Sequence, residues 1–130
     1  MSKKLTDDLR VHGEDYLDSV TVPQDDSVAG NVLVLGKGGQ NNSFAVKVVV
    51  DAAITLTTSK TLTIAVKSSS DKSTWSTIAS KEFTAGQAAG TVLMYLSLPP
   101  NVDEFTRVDV STDDDAATGK VSAYPVYIPR

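Results

Sequence analysis

The feature that most constrains this chain is the alternation of apolar and polar residues with period two, carried by Val, Thr, Ile and Leu. Such side chains suit a pleated, half-buried surface, so strands are expected throughout most of the chain. Phe44 to Val50 sets Phe44, Val46, Val48 and Val50 on one face and Lys47 on the other. Thr61 to Lys67 turns Leu62, Ile64 and Val66 inward, with Thr61, Thr63 and Lys67 outward. Over 106–111 the same rule sends Val108 and Val110 inward and Arg107 and Asp109 to solvent. Turn clusters rich in Gly, Ser, Asn and Asp separate these runs at 36–43, 67–73, 84–90, 99–101 and 111–119. No helical pattern of ten or more residues lies past residue 30, which excludes βαβ units. The expected fold is all-β: an antiparallel β-sandwich or jelly roll of about eight strands.

Three segments are apolar on both faces: 32–35, 92–96 and 121–128. Each is expected to be an edge strand, a corner covered by loops, or a contact between subunits. The N-terminal part reads differently. Leu5, Leu9 and Tyr16 lie one or two helical turns apart, but Gly13 interrupts them, so at most one short helix precedes the extended run from Tyr16 to Val22. The expected division is an extended N-terminal arm and lead-in strand over 1–22 and a sandwich domain over 23–130.

At 130 residues the chain is long enough for one core, and it has no cysteine to form a disulfide or a thiolate metal site. A net charge of −4 argues against a nucleic-acid partner, which needs clustered Lys and Arg. No apolar run approaches the length of a membrane-spanning helix or a signal-peptide core, so no membrane partner is expected.

The sequence offers little for catalysis. His12 is the one histidine, it sits in the polar arm, and no G-x-S-x-G elbow accompanies it. The glycine-rich GKGGQNN at 36–42 lacks the ending of a phosphate loop and reads as a hairpin connection. The acids fall in turns, where a solvated, turn-forming role is expected. Asp113, Asp114 and Asp115 could share a calcium ion, although their spacing is not that of an EF-hand loop. A metal-dependent barrel enzyme would need several strand histidines. The chain is therefore expected to be no enzyme and to need no cofactor. Trp75, in the turn SSSDKSTW, either caps the end of the core or, with Asp71, stacks on a sugar ring.

From Ser27 onward the sequence resembles the jelly-roll cement, or decoration, proteins of tailed bacteriophage capsids. The segments that carry the resemblance are SVAGNVLVLGKGG at 27–39, FAVKVVVDAAI at 44–54, KTLTIAVKSSSDKSTWSTIAS at 60–80 and VSAYPVYI at 121–128. Residues 1–22 have no counterpart in that family. The resemblance implies a structural virion protein made in the host cytoplasm, which binds the major capsid protein on the outer surface of the capsid as a homotrimer. The contact residues expected under it are Leu5, Leu9, Tyr16 and Leu17 in the arm, Leu33, Leu35, Leu93 and Tyr95 on the two-faced strands, and Tyr124, Tyr127 and Ile128 near the C-terminus. A carbohydrate- or receptor-binding sandwich module of a virion, with Asp71 and Trp75 as ligand contacts, is the alternative.

Overall fold

The computed structural model describes residues 9–10, 15–34, 44–98 and 103–127. Ten strands account for most of them: β1 (Leu9–Arg10), β2 (Leu17–Thr21), β3 (Asp26–Ala29), β4 (Leu33–Val34), β5 (Phe44–Thr55), β6 (Leu62–Ser69), β7 (Ser76–Phe83), β8 (Val92–Ser97), β9 (Phe105–Thr112) and β10 (Thr118–Tyr127). All pairings are antiparallel. The first sheet runs β1-β10-β5-β8 with β2 also on β10, and the second runs β3-β9-β6-β7 with β4 also on β9.

These ten strands fill eight positions. Because β5 pairs β10 along its whole length, β1 and β2 must lie end to end on the other edge of β10. In the same way β6 occupies one edge of β9, and β3 and β4 share the other. The order is then β2-β10-β5-β8 over β3-β9-β6-β7, with the chain passing between sheets at nearly every turn. That interleaving is the jelly roll expected from the sequence, with its eight positions.

Alternation works as the sequence predicts in the middle strands. Val46, Val48 and Val50 of β5, Leu62, Ile64 and Val66 of β6, and Val108 and Val110 of β9 are all buried between the sheets. Each adds about 1.5–3 kcal/mol of transfer free energy relative to exposure.

The three two-faced segments resolve differently. β4 is a two-residue edge strand, with Leu33 packed against the core and Val34 exposed. β8 is an edge strand carrying a bulge: Met94 pairs with Val48 and Val92 with Val49, so Leu93 is the extra residue. The bulge turns two successive side chains inward, and Leu93 and Met94 are both buried. β10 is central rather than an edge. Its inward row of Val121 and Ala123 packs in the core, while Ser122 on the outer side is buried, its hydroxyl accepting from Ser19 N–H and donating to Asp51 Oδ2.

The lead-in strand joins the sandwich. Tyr16, Leu17 and Val22 belong to the core, and the Tyr16 hydroxyl meets Thr106 Oγ1 at 2.7 Å inside it. The β2 and β3 edges are drawn together where Asn31 N–H donates to Tyr16 O at 2.8 Å and Gly30 N–H donates to Val108 O at 2.9 Å. Only glycine fits there, since a Cβ on residue 30 would stand 2.6 Å from Val108 O and 2.7 Å from Tyr16 O.

Candidate functional site

Three surfaces of the sandwich gather the residues of interest. On the outer face of the first sheet, Lys47 of β5 is the register partner of Tyr95 on β8 and of Tyr124 on β10. Directly paired residues point to the same side, so two tyrosines flank a lysine across three strands. In the next row Val49 pairs with Val92 and with Ser122. Beside that row Ser19 Oγ donates to Asp51 Oδ2 at 2.9 Å, and Ser122 Oγ bonds the same oxygen. Asp51 reaches them because it is the extra residue of a bulge: Val50 pairs with Val121 and Ala52 with Lys120.

The outer face of the second sheet carries a charged, aromatic end and a hydroxyl-rich end. At the first, Asp109 receives Lys67 Nζ at 3.0 Å on Oδ2, and Arg107 Nε stands 3.0 Å from Oδ1. The Arg107 guanidinium lies 4.4 Å from the centre of the Trp75 ring, whose Nε1 donates to Lys72 O at 3.3 Å. Lys72 Nζ sits 4.8 Å over the Phe105 ring. At the other end an open cavity of about 440 Å³ is walled by Asp25, Asp26 and Asp113 and floored by Ser27, Thr63 and Ser111. Ser111 pairs in register with Ser27 on one side and Thr63 on the other, so the floor is a row of hydroxyls across three strands.

The acid-rich turn beyond that cavity is structural at two of its three positions. Asp114, expected to be solvated, is buried. It accepts from Thr57 N–H at 2.6 Å and Ala116 N–H at 2.9 Å, and these bonds hold its carboxyl below the ordinary carboxylate range. Asp113 is lowered in the same direction, first by the Thr61 N–H at 2.8 Å. The turn thereby ties the β9–β10 connection to the β5–β6 loop, and Asp25 N–H adds the β2–β3 loop through Asp114 O at 3.0 Å. Among the described residues no three acids converge on one point as calcium ligands would.

The expected contact residues are scattered by the fold. Tyr16, Leu17 and Leu93 are interior and so unavailable to a partner in this conformation, because the inward side of β2 and the β8 bulge take them into the core. Leu33 is partly buried against the same core. Tyr95 is 43% exposed, and Tyr124 is half-buried on the same face. The backbones of Leu9 and Tyr127 pair with one another. Leu5, Leu35 and Ile128, like His12 and the 36–42 loop, lie outside the described residues.

The two residues expected to contact a sugar are engaged locally. Asp71 Oδ1 accepts from Ser73 N–H at 2.8 Å and Thr74 N–H at 2.9 Å, closing the turn, and the same bonds lower its pKa, Thr74 most. Trp75 caps no core. It packs on Arg107, whose register partner Lys67 marks the outer face.

Sequence reading missed Lys47 as a site residue, and it missed the row Ser27, Ser111 and Thr63. The signal for that row is faint: each is a polar residue in the outward phase of an alternating run, like many others.

No protein-family model matches the chain, and no curated protein sequence matches it. Among solved structures, the crystal structure of PirA matches with a TM-score of 0.54 at 17% identity, over 88% of this chain and 96% of PirA. PBSX exported protein XepA matches with a TM-score of 0.53 at 11% identity, over 88% of this chain. The chain spans 36% of XepA. At these identities the likeness is one of fold.

Proposed function

We propose that the chain is a structural virion protein, a cement or decoration protein that binds the major capsid protein on the outer surface of a phage capsid as a homotrimer and stabilises the shell. One observation carries this reading beyond the sequence resemblance. Among the described residues, the exposed large apolar side chains, Val32 and Val34 on one side and Val92 and Tyr95 on the other, flank opposite edges of the sandwich. The short β2–β3 link sets the β2 edge over β3 and β4, which leaves β8 over β7 at the far side. Two unlike patches on opposite edges suit a head-to-tail contact, which makes a ring where the rotation between copies closes on itself. Three linked copies then hold a repeating shell by avidity, without tight binding by each. XepA, the fold neighbour from phage PBSX, is in keeping with a phage setting. The reading includes no reaction, no cofactor, and no nucleic-acid or membrane partner.

The alternative, a carbohydrate- or receptor-binding module, draws no support at the residues expected for it, because Asp71 and Trp75 are held within the chain.

Native mass spectrometry tests the assembly: three copies are expected, and Val34→Glu or Tyr95→Glu should return the chain to a monomer while leaving its melting temperature nearly unchanged. Shells lacking the protein should gain heat resistance when it is added back. A chain that stays monomeric at high concentration and leaves shells unprotected would refute the reading.

A further inference from the structure

We propose that the outer face of the second sheet holds a binding groove for a neutral oligosaccharide, centred on the hydroxyl row Ser27, Ser111 and Thr63 and bounded by Asp25, Asp26 and Asp113. The groove opens on the sheet face and is complete in one copy: Ser27 lies on the edge that β3 shares with β4, but Val34 pairs with Phe105, at the far end of β9 from Ser111.

The register builds it. Strands lie about 4.8 Å apart, so the three hydroxyl-bearing residues span about 10 Å, the width of two pyranose rings. Each hydroxyl both donates and accepts, which matches neighbouring sugar hydroxyls that do the same. The wall adds acceptors of greater strength. Asp113 spends Oδ1 on Thr61, while the side chain of Asp25 makes no hydrogen bond or ion pair with any described residue.

Beside the hydroxyl row lie Ala29 and Ala65, both register partners of Asp109. They flank the Asp109 carboxylate, which Lys67 and Arg107 hold, so this row sets a charged acceptor between two methyls. Beyond that row stand the longer side chains of Arg107 and Lys67, with Trp75 against Arg107. Along β9, Arg107 to Asp113 covers about 20 Å at 3.4 Å per residue, room for a chain of several sugars.

Other occupants fit less well. The carboxylates do not converge as metal ligands. A basic peptide would find a neutral floor, and a cation already stands near the wall, since Lys60 contributes to the lowering of Asp113 and Asp114.

The test is a panel of neutral oligosaccharides of glucose, galactose, mannose and N-acetylglucosamine, two to four units long, offered to the full chain and followed by calorimetric titration. At least one should bind. Ser111→Leu, which fills the floor, should weaken that binding at least tenfold. Asp25→Asn removes a charged acceptor while suiting the positive φ of 47° there, and should weaken it about tenfold. Ser97→Ala, which removes an exposed hydroxyl from β8 of the other sheet, should leave it within about twofold. Melting curves confirm that each variant folds. The proposal is overturned if no sugar in the panel binds at millimolar concentration, if tetralysine binds and sugars do not, or if Ser111→Leu and Asp25→Asn both bind as the parent does.

Discussion

Truncating Tyr16 asks whether the segment before residue 23 is a detachable arm or part of the fold. Its side chain is 1% exposed, its ring belongs to the main core, and its hydroxyl meets Thr106 at 2.7 Å. Tyr16→Phe removes the hydroxyl alone. Thr106 keeps an acceptor in Leu33 O, at 3.4 Å, so no buried donor is orphaned and the loss should be about 1 kcal/mol. Tyr16→Ala also empties the ring's volume, which for a buried aromatic costs about 3–5 kcal/mol. The expected sum is about 5 kcal/mol, a large part of the stability of a domain this size. Urea unfolding followed by Trp75 fluorescence measures both variants, with the midpoint shifting and the slope unchanged. In a double-mutant cycle, Thr106→Val should cost less in Tyr16→Phe than in the parent. A loss below about 1 kcal/mol for Tyr16→Ala would refute the placement of this segment in the core.

Gly30→Ala should destabilise by about 2 kcal/mol or more, because the new methyl meets two backbone oxygens inside 2.8 Å; equal urea midpoints would contradict that packing. Asp109→Ala leaves Arg107 and Lys67 facing each other without their shared counter-ion, and should cost more than Lys67→Met, which leaves the Arg107 pair intact. Thermal melts of the two variants decide it. Asp71, Asp113 and Asp114 all have depressed folded pKa values, so they favour folding at neutral pH, and that contribution is lost as pH falls below the ordinary value of 3.8. Asp114→Asn should lower stability at pH 7 and flatten its decline in acid, as read from melting temperatures between pH 7 and pH 2.

Much of this architecture is legible in residue order alone. The phase of β5, β6 and β9 follows from alternation, because a strand covered on one face must place every second residue in the core. Lys47, Lys67, Arg107 and Asp109 fall outward for the same reason. The β8 bulge is invisible to that rule, since one extra residue shifts the phase locally and makes buried Leu93 and Met94 look like a strand with two apolar faces.

Partnership across the sheets is another matter. Nothing in the order of residues says that β10 runs between β2 and β5, or that Tyr95 and Tyr124, 29 positions apart by number, flank one lysine. Ser27, Thr63 and Ser111 likewise become neighbours only through the pairing of β3, β9 and β6. The sequence by itself determined the class of fold, the inward rows and the turns, because these depend on the local period of two and on the backbone preferences of single residues. Tertiary structure alone decided which outward side chains share a surface, because strand order and register are set by closing one core from distant segments. Any surface on which this protein binds is assembled by that closure.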